Sequence, residues 1–538
     1  MKSSEHWMKC ALPVMTLTCC TTLYASDKAK EKPNVIILFS DQHNADVFGY
    51  TGHPDVVTPN LDRMAANGMV FHRAYCQNAV SVPSRTSFFT GLYPRTLGYM
   101  DNAQVKTSVL EHAVSIQQVF RQNGYDTYAF GKRHLYGKAD EGWSVCKSHL
   151  ADESPEDNYV KWIEQQGFAE AFGKDWAAET GEFPKGNSLG GTKYPAADMG
   201  TRTSGLPPNM TMEAYSALNT LEVIKKHAGN KKPFFCFTSF FKPHQPYTPL
   251  PEYLTGYDKN AWGQGRNHNS SIAMPATLRQ PAEQLPPFLA DLRQRQTGIW
   301  CLGKAAENEQ LYRDYIAAYY AQVEEIDHWV GEIFNELEKQ NLLDNTIIIY
   351  ASDHGDFVGY HGMIEKAAAG HNVYEETLRV PLLFFWKNRI LSNVVNTDLV
   401  ELIDVYPTLL ELADIQAPAR EIALQGKSLA PTLLHNKPVE RKYLVSENWS
   451  QASVITKTHK LAIWLDPWPM PQWRDWRRWG NMLFDYAADP HEVNNLYGKD
   501  AYNDIVFQLR ACFDEFETKT SDVGKKERIE QLLETEKK

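Results

Sequence analysis

Residues 34–41 read Asn34-Val-Ile-Ile-Leu-Phe-Ser-Asp41. An unbroken apolar run closed by an acidic residue is the pattern of a strand buried on both faces, as in the interior of a parallel sheet. Runs of the same kind recur at 127–130, 233–240, 346–351 and 381–386. Helical patterns lie between them, at 114–122, 212–227 and 311–339, and Gly124 suits a helix stop before the next strand. This alternation predicts an α/β fold, a large, mostly parallel (mixed) sheet sandwiched by helices. Ligands on such sheets collect at the carboxyl ends of the strands. Asp41, Lys132, His244 and Asp353 each stand just after a predicted strand, so a single sheet can gather all four.

This predicted main domain spans 34–440. From Arg441 onward the texture changes. Short strands at 443–446 and 461–464 flank a stretch holding Trp464, Trp468, Trp473, Trp476 and Trp479, and a charged helical tail follows. Residues 441–538 read as a smaller α+β domain. Residues 145–211 are rich in Gly, Pro and acidic side chains and are expected to form long loops. At the other end, Lys2 and Lys9 precede a mostly apolar run from Ala11 to Ala25, with small residues Ala25 and Ser26 fit for cleavage. Residues 1–26 are therefore expected to be a signal peptide and 27–33 a linker, with the product periplasmic or secreted. No later stretch is apolar over the ~20 residues that a membrane span needs.

The chain has 538 residues, a formal net charge of −11, 43% hydrophobic residues and 22% charged residues. Those proportions exclude general disorder and a coiled-coil rod. The acidic balance argues against a nucleic-acid partner, which would require a basic face. Beyond the leader, Cys76, Cys146, Cys236, Cys301 and Cys512 are scattered and odd in number, a set expected to be mostly buried free thiols.

Ser81-Val-Pro-Ser-Arg85, with Thr90-Gly91 downstream, has the look of a helix start whose free N–H groups favour anions, with a guanidinium fork beside them. Taken alone, an ordinary helix cap is the better reading. The wider pattern reverses that preference. Ser81–Gly91 resembles the type I sulfatase signature, (Cys or Ser)-x-Pro-Ser-Arg with Thr-Gly following. Gly124 to Gly131-Lys132-Arg133-His134 is similar to that family's second signature, and Pro243-His244-Gln245-Pro246 to its Pro-His-x-Pro element. Ser352-Asp353-His354-Gly355 resembles its second metal motif, followed by Tyr374-Glu375-Glu376 and Arg379-Val380-Pro381. Asp404–Thr408 and Leu483–Leu496 fit as well. The motifs stand in the family's order from about Pro33 to Leu496, so the chain is identified as a member of the formylglycine-dependent sulfatases of the alkaline-phosphatase superfamily, similar to the bacterial serine-type members.

The resemblance implies a sulfuric ester hydrolase in which a radical maturase oxidises Ser81 to formylglycine. Its hydrate would attack sulfur and release sulfate by collapsing back to the aldehyde, dividing one hard step into two. It further implies a metal site of Asp41, Gln42, Asp353 and His354, with the group at position 81 as a further ligand. Calcium is the expected ion, with magnesium or manganese open. Gln42 replaces the commoner Asp, and His354 the commoner Asn. By the same resemblance Lys132 and Lys366 bind sulfate oxygens, Arg85 holds the hydrate and the metal-side charge, His134 hydrogen-bonds the hydrate, and His244 protonates the leaving oxygen. Lys366 stands eight residues before Tyr374 rather than about four, so His371 and a solvated surface lysine remain alternatives there. His43 is a candidate pocket residue. His53, His361 and His459 read as packed or surface side chains.

The expected substrate is a sulfated carbohydrate, with specificity in 145–211, 255–300 and the tryptophan-rich stretch. The alternatives are a phosphoryl hydrolase of the same superfamily, with Ser81 itself as nucleophile, and a silent sulfated-glycan-binding relative.

Overall fold

The computed structural model describes residues 31–534, except 103–105, 151, 183–189, 255–271, 286–289, 291–292, 294–308, 367–372, 449–450, 466–479, 521, 523, 525, 528–529 and 532–533. The expected signal peptide lies outside the described residues, as do Cys301, His371 and the tryptophans at 468, 473, 476 and 479.

The main sheet comprises β1 (Asn34–Asp41), β2 (Met69–Tyr75), β3 (Asp126–Phe130), β4 (Val145–Lys147), β5 (Phe234–Pro243), β6 (Thr346–Ser352), β7 (Leu382–Phe385) and β8 (Val394–Glu401). The helices that matter below are α1 (Ser81–Thr90), α2 (Ile116–Gln122), α3 (Tyr159–Gln165), α4 (Ala169–Thr180), α5 (Met212–His227), α6 (Glu309–Lys339) and α7 (Asn503–Lys519). The strand order is β4-β3-β5-β1-β6-β7-β2-β8. All pairs are parallel except those of β7, which runs against both β6 and β2. The mixed, mostly parallel sheet expected from the alternation is therefore present.

Every residue of β1 is buried. Val35, Ile37 and Phe39 point into one core, packed with Phe88 and Phe89 of α1 and Val119 and Phe120 of α2. Ile36 and Leu38 point into the opposite core, against Leu221 and Ile224 of α5 and Ile326, Val330 and Ile333 of α6. Burying side chains of this size stabilises by about 1.5–3 kcal/mol each. These five β1 side chains together contribute about 7–15 kcal/mol, an upper estimate, enough to carry costly polar groups at the strand's end. Register completes the placement. Phe39 of β1 lies beside Ala351 of β6, Phe130 of β3 pairs Thr238 of β5, and Asp41 pairs Pro243. Asp41, Lys132, His244 and Asp353 therefore emerge together at the carboxyl ends of neighbouring interior strands.

Five strands escape the sequence reading: β2 (Met69–Tyr75), β4 (Val145–Lys147) and β8 (Val394–Glu401) of this sheet, and the strands Gln451–Ile455 and Met482–Asp485 of the second sheet. In β2, His72 and Arg73 interrupt the apolar run. β8 is a half-polar edge strand, Val-Val-Asn-Thr-Asp-Leu-Val-Glu. The long-loop expectation for 145–211 is overturned. This segment forms β4, α3 and α4, and Tyr159, Val160, Ile163 and Phe172 close a small core with Leu206, Tyr215 and Phe241. Its Gly, Pro and acidic content obscured an apolar spacing at helical period.

The second sheet is antiparallel, in order β12-β11-β10-β9, built from β9 (Leu444–Asn448), β10 (Gln451–Ile455), β11 (His459–Trp464) and β12 (Met482–Asp485). Leu509, Phe513 and Phe516 of α7 cover it. Its first strand is tied to the segments on either side of α1. Glu447 takes both Nε and Nη2 of Arg95 at 3.0 Å, its N–H donates to Gln77 at 2.9 Å, and its carbonyl accepts from Asn78 at 2.9 Å. Cys76 and Cys236 are buried free thiols, and Cys146 and Cys512 are half-buried free thiols. No helix among the described residues is long and apolar enough to cross a membrane.

Candidate active site

Helix α1 begins at Ser81 itself, and all its residues are buried. The Ser81 hydroxyl donates to His354 Nε2 at 3.1 Å. The other ring nitrogen, Nδ1, lies 3.0 Å from the Gly355 carbonyl. A carbonyl only accepts, so the proton resides on Nδ1 and Nε2 presents its lone pair inward.

Arg85, one turn further along α1, is fully buried between two carboxylates. Its Nε meets Asp353 Oδ2 at 2.7 Å and its Nη2 meets Asp41 Oδ2 at 3.1 Å. Nη1 donates to the Lys132 carbonyl at 2.7 Å and to Ser239 Oγ at 3.1 Å. Lys132 Nζ is 2.5 Å from Asp41 Oδ2. Burial alone would raise the Asp41 carboxyl pKa, but Lys132, His244 and Arg85 outweigh it and hold the group well below the usual range. Asp353 is lowered likewise, against burial, chiefly by Arg85.

One oxygen each of Asp41 and Asp353 and a ring nitrogen of His354 lie within 4.8 Å of one another. Asp41 Oδ1 is buried with no hydrogen-bond partner among the described residues. An orphaned carboxylate oxygen, a second carboxylate and an inward imidazole lone pair fit a divalent cation, and the oxygen-rich set favours a hard one. Gln42 lies alongside, and its Oε1 accepts from Lys366 Nζ at 2.8 Å. Lys366 is thus inside the protein and not on a solvated surface.

Gly131 allows the Lys132 turn. It sits at φ +94°, and a Cβ there would lie 2.1 Å from the Ser239 carbonyl. The next residues are held by Glu153, which sequence reasoning missed. One of its oxygens accepts the Arg133 N–H and the Ser148 hydroxyl, at 2.9 and 2.6 Å; the other accepts the His134 N–H at 2.9 Å. Although burial raises its pKa, Arg133, His134 and these donors lower it to about 2. A carboxyl depressed in the folded state contributes stability that is full above its unfolded value and lost as pH falls toward about 2. Glu153→Gln is therefore expected to be less stable than the parent at neutral pH and no different near pH 2, as denaturant titrations at several pH values would reveal.

His134 Nδ1 is buried without a partner among the described residues. Burial and Lys132 push its ring pKa down to about 3. His244, half-buried, has Nδ1 2.7 Å from the Gln245 carbonyl; that carbonyl accepts the Nδ1–H, so Nε2 is the free nitrogen and can hand over a proton only from the imidazolium form. Its pKa is held well below the usual value by burial, with Lys132 and Lys366 adding to the effect against Asp41. Two further carboxyls feel Lys366: Glu179 near the end of α4, raised to about 7, and Glu365, raised to about 8, both by burial. His43 is not part of the cluster. It stacks on Phe48 and bonds Tyr350 Oη at 2.7 Å, a packed core histidine.

A family model described as sulfatase matches residues 33–415. The chain belongs to the sulfatase family. A second model, N-sulphoglucosamine sulphohydrolase C-terminal, matches residues 359–519. The arylsulfatase of Clostridium perfringens is 26% identical to this sulfatase, covering 89% of its chain and 93% of the relative. An N-acetylglucosamine-6-O-sulfatase of Bacteroides thetaiotaomicron is 25% identical, covering 98% and 94%. Among solved structures, a phosphonate monoester hydrolase of Agrobacterium radiobacter superposes with a TM-score of 0.72 over 90% of this chain and 96% of the other at 20% identity, a likeness of fold. This sulfatase is accordingly a sulfuric ester hydrolase of the alkaline-phosphatase superfamily.

Proposed function

We propose that this sulfatase removes sulfate from a sulfated glycan, an oligosaccharide or glycosaminoglycan fragment, at the cluster of Ser81, Arg85, Lys132, His134, His244 and Lys366. The observation that carries the reading is Ser81 Oγ, 3.1 Å from His354 Nε2, which itself lies 3.8 Å from the orphaned Asp41 Oδ1. Oxidation of Ser81 to formylglycine by a radical maturase supplies, after hydration, a nucleophile able to shed sulfate by returning to the aldehyde. A divalent cation, calcium by its donor set, would be held by Asp41, Asp353 and His354 with Gln42 and the position-81 oxygen, and would supply positive charge beside the sulfate. The names of the bacterial relatives support the glycan class, and the leader pattern supports export to the periplasm or medium. In this reading 34–440 carries the chemistry and 441–538 supports it.

The chain's own groups do the rest. Lys132 and Lys366 bind sulfate oxygens, and Arg85 fixes Asp41 and Asp353 in place. His134 holds the oxygen at position 81, and His244 protonates the departing oxygen through Nε2. Charge aimed at the site where it develops is the expected main source of rate. The test is mass analysis of the Ser81 peptide from active enzyme, together with rates on aryl sulfate, aryl phosphate and a panel of sulfated sugars. Unmodified serine throughout, or faster turnover of the phosphate, defeats the proposal.

Removing a general acid hurts poor leaving groups most. His244→Asn is expected to lower kcat on sugar sulfates by about 10²–10⁴-fold. On 4-nitrophenyl sulfate, whose phenolate leaves without a proton, the loss should be much smaller. Equal losses on both substrates would remove His244 from the acid role.

A further inference from the structure

The Gln42 carboxamide is held at both ends. Nε2 donates to Asp356 Oδ2 at 2.7 Å and reaches Gln245 Oε1 at 3.2 Å. Oε1 accepts from Lys366 Nζ at 2.8 Å. Asp356 in turn is surrounded by donors. Its Oδ1 takes the Tyr315 hydroxyl and, at 2.7 Å, the Val358 N–H, while its Oδ2 also takes the Tyr247 hydroxyl at 3.3 Å. Gln42, Asp356, Tyr247 and Tyr315 are all fully buried. The Gln42 backbone is fixed as well. It lies at φ +67°, its N–H donates to Asp353 Oδ1 at 3.0 Å, and its carbonyl accepts from Tyr319 Oη at 2.6 Å.

A carboxamide has a donor end and an acceptor end of nearly equal shape, so its neighbours decide which end faces forward. A carboxyl oxygen behind Gln42 demands the donor end. The oxygen end is thereby turned toward Lys366. A carboxylate at position 42 would set oxygen against oxygen in a dry site and leave Asp356 short of a donor. We infer that Asp356 is a positioning residue. By gripping Nε2 of Gln42 it fixes Oε1 toward Lys366, and it is the reason this position carries an amide. What Oε1 serves rests on the function proposed above, whereas the coupling of Gln42 to Asp356 stands on the hydrogen bonds alone.

The test exchanges acid and amide in the full-length matured enzyme: wild type, Gln42→Glu, Asp356→Asn and the double variant. Two quantities are read, kcat and KM on 4-nitrophenyl sulfate, and the rise in Tm that calcium gives over EDTA. In Asp356→Asn the new NH2 faces Gln42, so the Gln42 amide turns over and presents Nε2 to Lys366. Each single variant should lose about 10–100-fold in kcat/KM, the usual scale for partners that orient a ligand, and part of the calcium-induced rise. The double variant, with acid and amide exchanged, should recover most of both. Asp356→Asn with unaltered kcat and an unaltered calcium response overturns the inference. So does a folded double variant no better than its weaker parent. Should Gln42→Glu fail to fold, Asp356→Asn decides alone, because its Oδ1 still satisfies Tyr315 and Val358. Lost kcat with an unchanged Tm in EDTA then supports positioning. A wild type with no calcium response would sink the metal reading, while the activity cycle would still report the coupling.

Discussion

Ser81→Ala should lower kcat for sulfate release by a factor on the order of 10⁴–10⁶, the scale on which loss of a covalent nucleophile is felt. The variant should fold normally. Among the described residues Ser81 makes a single side-chain bond, to His354 at 3.1 Å, and alanine is a good helix former at its position. Calcium should still raise its melting temperature, since Asp41, Asp353 and His354 are untouched. The same enzyme produced without the maturase should be as slow as Ser81→Ala, because both lack the aldehyde. That comparison separates two mechanisms. If Ser81 were itself the nucleophile, unmatured wild type would be active and only the alanine variant dead. Single-turnover assays on both samples, with mass analysis of the Ser81 peptide, read the difference directly.

The second large effect is on stability. Arg85→Met is expected to destabilise the metal-free protein by about 3–5 kcal/mol, the usual cost of stripping one partner from a buried ion pair. Asp41 and Asp353 are both fully buried and both bonded to this guanidinium. Methionine keeps the stem's packing and removes the charge, so the loss measures electrostatics and not a cavity. A divalent cation between the same carboxylates would replace part of the missing charge. Added calcium should therefore recover more stability in Arg85→Met than it adds to wild type, as read by denaturant titration with and without EDTA. An equal calcium increment in both proteins would mean that the ion does not sit against these carboxylates.

Part of this arrangement was legible in the sequence because Asp41, Lys132, His244 and Asp353 each stand just after an apolar run, whereas Ser81, Arg85 and Lys366 were legible only through the family resemblance. The run ending at Asp41 and the one ending at Ser352 each announce a buried strand, and parallel strands present their carboxyl ends together. What remained hidden depends on contacts across space. Glu153 lies in a segment read as loop, and nothing nearby in sequence reveals that it receives the N–H groups of Arg133 and His134. Asp356 stands two residues beyond His354, yet its meaning lies in Gln42, which is 314 positions away. β2 and β8 were missed because polar residues break their apolar patterns. The α3–α4 core was missed because its composition outweighed its periodicity.

The bond between Glu447 and the approach to Ser81 has a consequence for how the molecule comes into being. Gln77 and Asn78, a few residues ahead of the reactive serine, are braced by a strand that lies 369 positions downstream of Asn78. A chain made from its amino end produces Asp41, Ser81 and Arg85 early, but the brace emerges only after most of the polypeptide has been synthesised. Contacts of such separation form late because the intervening chain must first be ordered. The oldest part of the growing chain is therefore the last to settle, and during that interval Ser81 lacks the packing that later encloses it.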